Sequence, residues 1–104
     1  MKVIFDIFGR PVRLTENRLV HIVETHPEMV DQLLNLEETL VNPYAVIESI
    51  NDNAVQLFYR KFRHISFGDK YLCVVVKIQS TDNFIITAYI TDAIKKGRQI
   101  WKKI

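Results

Sequence analysis

His21, Arg18 and Thr25 are the first residues of this chain whose types and spacing could act on a substrate. At about 100° per helical residue they cluster in a narrow sector beside the apolar stripe Leu19, Ile22 and Val23. An arginine and a histidine at the edge of a buried face could bind a phosphodiester and move its protons. Equally, His21 could be a half-buried packing residue and Arg18 a surface charge. His26 projects toward the body of the protein from a helix C-terminus, where an imidazole can bond loose carbonyls and interact favourably with the dipole. Further along, Phe58-Tyr59-Arg60-Lys61 alternates aromatics with cations. Thr87 and Tyr89 share a face of the last expected strand, and Lys77 lies on the matching face of its neighbour. Aromatics can stack nucleobases and cations can neutralise phosphate, although an antiparallel sheet with one solvated face has the same pattern. His64, at a strand end near a turn, is expected to face solvent.

Other chemistries find no support. Three histidines and one cysteine lack zinc spacing, and no acidic calcium loop occurs. With three scattered glycines there is neither a P-loop nor a dinucleotide fingerprint. A serine-hydrolase nucleophile elbow is missing too. Cys73 as a nucleophile competes with the reading of a mid-strand cysteine as a small sheet residue. No metal ion or cofactor is expected.

The elements that must position these groups follow from pattern. Lys2 to Phe8, broken by Gly9-Arg10-Pro11 and followed by Val12-Arg13-Leu14, reads as a short hairpin or extended arm. Thr15 is a good N-cap for a helix over about 16–25, with Glu16 well placed in its first turn, and Pro27 ends it. The spacing of Met29, Val30, Leu33, Leu34, Leu36, Leu40 and Val41 predicts a second helix over 28–41. Four strands are expected over 44–50, 55–62, 71–79 and 84–91, with turns at Asn51-Asp52-Asn53, Gly68-Asp69-Lys70 and Ser80-Thr81-Asp82-Asn83. Leu72, Val74, Val76 and Ile78, with Phe84, Ile86, Ala88 and Ile90, are expected to receive the helices. Tyr71, Cys73, Val75 and Lys77, with Ile85, Thr87, Tyr89 and Thr91, would form a concave binding face. The tail from Asp92 reads as a brief helix or irregular arm that Trp101 docks onto the body. The fold class expected is thus α+β: N-terminal helices packed on a roughly four-stranded antiparallel meander.

The bulk numbers suit one globular domain over 1–104, with 48% apolar and 25% charged residues. Asp6 interrupts the N-terminus before a signal-peptide core could develop, and no apolar run nears the roughly 20 residues that span a bilayer. A single cysteine suits a reducing compartment, so the cytoplasm is the expected address, with no membrane partner. Net charge is +2, but cations concentrate at Lys95, Lys96, Arg98, Lys102 and Lys103. That asymmetry fits an anionic ligand or a solvated tail.

His21-Ile22-Val23-Glu24-Thr25-His26-Pro27-Glu28, Leu72 to Lys77, Phe84 to Tyr89, then Ile94-Lys95-Lys96-Gly97 and Trp101 form an ordered series. In order and spacing it resembles small bacterial and phage proteins of the barnase–EndoU–colicin–RelE nuclease superfamily, from about Leu14 to Trp101. The resemblance implies one or two helices against a four-stranded antiparallel sheet (RelE/barnase-like). It implies a metal-independent ribonuclease, often a toxin with a cognate antitoxin or immunity protein. Such enzymes drive the RNA 2′-hydroxyl onto the adjacent phosphate, leaving a 2′,3′-cyclic phosphate. On this likeness His21 would be general base or acid, and Arg60, or Lys61 one residue on, would stabilise the phosphorane. Thr87 would position the phosphate, Tyr89 would stack a base or share a proton, and His26 would join the catalytic set. Arg18, Lys61 and Lys77 would contact RNA. The alternative is a non-catalytic RNA- or protein-binding module of the same fold, and a third reading is self-association through exposed sheet residues.

Overall fold

The structure is a computed structural model that describes residues 1–64 and 68–104, with His64 described by its backbone alone. The solvent exposure expected for the His64 side chain therefore lies outside what is described. Seven strands form one sheet: β1 (Lys2–Phe5), β2 (Pro11–Leu14), β3 (Ala45–Ser49), β4 (Val55–His64), β5 (Gly68–Lys77), β6 (Asn83–Thr91) and β7 (Gly97–Lys102), in the order β1-β2-β6-β5-β4-β3-β7. The helices are α1 (Glu16–Thr25) and α2 (Leu33–Val41), with a 3₁₀ turn, Pro27–Met29, between them.

This corrects the expected four-stranded antiparallel meander. The sheet is larger and mixed, because β2 runs parallel to β6 through Val12↔Asn83 and Arg13↔Phe84. The N-terminal hairpin β1–β2 extends it at one edge. At the other edge the tail, expected as helix or arm, is a strand antiparallel to β3. The physical reason lies in β3: Ala45, Val46 and Ile47 are all buried, so this strand needs a neighbour on both edges to satisfy its backbone groups. Gly97 starts β7 where any side chain would run into the Glu48 carbonyl.

Thr15 caps α1, its hydroxyl accepting from Arg18 N at 3.1 Å. The second helix begins later than its periodicity predicts. Pro27 starts the 3₁₀ turn, and Asp31 then takes a left-handed conformation (φ 62°) that an α-helix cannot contain. Gly68-Asp69-Lys70, expected as a turn, belongs to β5.

The sheet face under the helices holds the main core: Ile22, Leu36 and Leu40 against Val46, Phe58, Leu72, Val74, Val76, Ile85 and Ala88. A bulge in the β5–β6 ladder, where Val75↔Thr87 is followed by Val76↔Ile85, changes the side-chain alternation of β6. Ile85 therefore joins the core in place of the expected Phe84 and Ile86. Trp101 also packs against this core. Among the described residues no helix is long and apolar enough to cross a membrane.

Candidate active site and nucleic-acid interface

Beyond Phe84 the outer edge of β6 has no strand partner, and α1 with the 3₁₀ turn lies along it instead. Arg18 Nη1 donates to the Ile86 carbonyl at 3.2 Å, and Ile90 N–H donates to Glu28 Oε2 at 3.4 Å. Buried Ile22 anchors α1, and Pro27 turns the chain sharply at the helix end. His26, at that corner, lays its ring against Tyr89, with centroids 5.4 Å apart and planes at 38°. Its Nδ1 lies 3.7 Å from Glu28 Oε2.

Tyr89 belongs to a row across the face opposite the main core: Tyr59 pairs with Cys73, and Cys73 with Tyr89. One residue pair along lie Thr87 and Val75 on one side and Lys61, Tyr71 and Thr91 on the other. The connection from β6 to β7 crosses this face as a strap. Its five residues, 92–96, bend at Asp92 and Ala93 and then cross from β6 to β7 at the far edge of the sheet. Ile94 packs with Ile47, Leu57, Tyr59 and Cys73. Lys95 N–H donates to the Tyr59 hydroxyl at 3.1 Å, and Lys95 Nζ sits 6.0 Å from the centre of the Tyr89 ring.

Burial sets the protonation of this row. It pushes the Cys73 thiol up to about 11, against the pull of hydrogen bonds with Tyr89 and Tyr59. Burial also raises both phenols, with Cys73 beside them adding to the effect. All three groups are thus uncharged near neutral pH. Cys73 is a buried thiol there, not a nucleophilic thiolate, and Tyr89 can donate a hydrogen bond but cannot serve as a base.

A chain of aromatic rings runs from fully buried Tyr59 to half-buried Tyr71 (6.3 Å) and on to half-buried Tyr44 (6.0 Å). Tyr44 stands in a cleft of ≈ 580 Å³ lined by Asn42, Pro43, Arg60, Lys61, Lys102 and Lys103 among others.

The expected site residues are partly brought together. His26 and Tyr89 touch, and Thr87 shares their face. Arg60 does not: it pairs with the core residue Leu72 and lies on the helix-packed side, whereas Lys61 lies on the tyrosine side. Lys77 is held by Asp52 at 2.6 Å, which also keeps that carboxyl below its ordinary range. His21 is exposed on α1 and has no hydrogen-bonded or aromatic partner among the described residues. Lys95, Tyr59 and Tyr44 escaped the sequence reading as site residues. Tyr59 carried a signal in the aromatic–cation run Phe58-Tyr59-Arg60-Lys61, and Lys95 in Ile94-Lys95-Lys96-Gly97. Among the described residues no three His, Cys, Asp or Glu side chains gather as a metal-holding group. Comparisons with protein-family models, with curated proteins and with solved structures gave no match.

Proposed function

We propose that this protein is a metal-independent endoribonuclease, toxin-like, that works in the cytoplasm on the tyrosine face of its sheet. The observation that carries this reading is the grouping of the His26 imidazole, the Tyr89 phenol and the Lys95 ammonium around one ring. An imidazole nitrogen can accept the 2′-hydroxyl proton as a general base. As the 2′-oxygen bonds to phosphorus and the bond to the 5′-oxygen breaks, negative charge builds on the phosphoryl oxygens. Lys95 would balance that charge while Tyr89, kept protonated, donates to one of those oxygens. Thr87 would orient the phosphate. The 5′-oxygen would take its proton from water or from His21, which faces solvent on α1. The resemblance to the barnase–EndoU–colicin–RelE superfamily supports the same reaction, and with it a cognate antitoxin or immunity protein.

Incubation with structured and unstructured RNAs in EDTA, followed by end-group analysis, tests this. Fragments should end in 2′,3′-cyclic phosphate, and His26→Ala should slow their formation by roughly 10²-fold or more. Full activity in both His26→Ala and Tyr89→Phe would overturn the assignment. The second reading, a non-catalytic RNA-binding module, is favoured by Arg60 facing away from His26 and by Lys77 being tied to Asp52. Salt-sensitive binding with no cleaved product would decide for it.

A further inference from the structure

Fourteen lysines and arginines stand in the chain. Seven of them (Lys2, Arg10, Arg13, Arg63, Lys70, Lys77 and Arg98) are paired with carboxylates. An eighth, Arg18, is bonded to the Ile86 carbonyl. Of the other six, four (Arg60, Lys61, Lys102 and Lys103) line the cleft around Tyr44, and among the described residues no Asp or Glu lines it with them.

Tyr44 holds part of the group in place. Lys61 Nζ lies 4.5 Å and Lys102 Nζ 5.6 Å from the centre of its ring. The ring quadrupole attracts both ammoniums without neutralising either. Its backbone is pinned on both sides, with Tyr44 N–H donating to the Tyr59 carbonyl at 2.6 Å and Lys103 N–H donating to the Tyr44 carbonyl at 2.9 Å. Gathered like charges repel, and an anion between them relieves that repulsion.

We propose that this cleft is a subsite for the RNA phosphate backbone, gripping consecutive phosphodiesters at a distance from the bond that is cut. The inference rests on RNA being the substrate. Four cations exceed what one phosphate needs, and half-buried Tyr71, against Tyr44, continues from the cleft along the tyrosine face of the sheet that also carries Tyr89. It gives Arg60 a role that fits its side of the sheet, in holding the strand and not in the chemistry.

The test is fluorescence anisotropy with a labelled 2′-O-methyl RNA oligonucleotide, which binds but offers no 2′-hydroxyl to attack. Affinity is measured across a potassium chloride series in EDTA. Against wild type, the double variant Lys61→Gln/Lys102→Gln should bind at least 10-fold more weakly at low salt. Its slope of log affinity against log salt should be shallower by about 1.4, at ~0.7 per lost single-strand phosphate contact. Arg60→Gln should lower the slope by half as much, and Lys96→Gln, which removes a cation outside the cleft that pairs with no carboxylate among the described residues, should change neither quantity. An unchanged slope in the double variant would overturn the proposal, as would full displacement of the oligonucleotide by equimolar inorganic phosphate. His26→Ala should bind the probe like wild type. In the wild-type protein, binding that is intact without cleavage of an unmodified RNA counts against the nuclease, and cleavage that is intact without cleft-dependent binding counts against the subsite.

Discussion

On one side of the sheet Phe58, Leu72, Val74, Val76 and Ala88 are sealed beneath α1 and α2, and no side chain among them carries a polar atom. On the other side Tyr59, Cys73 and Tyr89 occupy one row, covered by the five residues of a strap and by the ring of His26. The first arrangement is what a core needs: area removed from water with nothing left unpaired. The second is costlier to build, since each hydroxyl taken out of water must find a partner. Leucine or valine at these positions would cover the face more simply. Tyr59 and Cys73 are fully buried there while Tyr89 stays half-buried, and on the proposed function the two faces should respond to mutation in opposite ways.

The largest effect belongs to the helix face. Phe58→Ala should lower stability by about 3–5 kcal/mol, the usual loss for a fully buried phenylalanine, and with it the urea midpoint. Tyr89→Phe keeps the ring and should move that midpoint little while abolishing cleavage. Equal destabilisation by the two variants would remove the division of labour.

Next comes alkaline pH, to which only the tyrosine face should respond. The fold favours the protonated Cys73 thiol, whose ordinary value of 9.0 rises to about 11. The unfolded chain therefore loses this proton first. Stability should be complete below pH 9 and fall as pH climbs toward 11, by on the order of 2 kcal/mol for this group. The raised phenols of Tyr59 and Tyr89 act in the same direction at higher pH. Urea midpoints from pH 8 to 11 should decline less steeply for Cys73→Ala than for wild type. Parallel declines would show that some group other than the thiol titrates there.

The contrast between the faces also marks how far the sequence could be read. Thr15 as a cap and Pro27 as a stop act within a few residues, and both were legible. The alternation of Leu72 to Lys77 assigned the two faces of β5. Three tertiary features escaped. The bulge opposite Val75 and Val76 exchanges Ile86 for Ile85 in the core, and no local preference announces it. β7 forms because β3 has an edge to satisfy; three successive buried residues, Ala45 to Ile47, were the overlooked sign of a central strand. Lys95 reaches Tyr89 only because the strap crosses the sheet, a consequence of β6 and β7 lying at separated positions in the strand order. The candidate site was thus legible in its residue types, His26 and Tyr89, more than in its assembly. Arg60 shows why: within a strand a shift of one residue changes the face, and the sequence leaves Arg60 and Lys61 equivalent.

The smallest stability effect, and the one that sharpens the comparison most, is expected from Tyr59→Phe. The ring stays and the packing of Ile94 against it is preserved, so what is lost is the acceptor for Lys95 N–H and the hydroxyl's hydrogen bond with Cys73, which keeps its bond with Tyr89. That amide belongs to an exposed residue and can turn to water, which holds the penalty to about 1 kcal/mol. The strap is tied down at its start by the Lys70–Asp92 ion pair, and over the row by this bond and by Ile94. Releasing it should let the Lys95 ammonium drift from Tyr89. RNA cleavage should then fall by roughly 10-fold or more, with binding of the 2′-O-methyl probe unchanged, since the Tyr44 cleft is untouched. Cleavage that stays at the wild-type rate would mean that Lys95 has no part in balancing the phosphoryl charge, and that the strap serves only as cover.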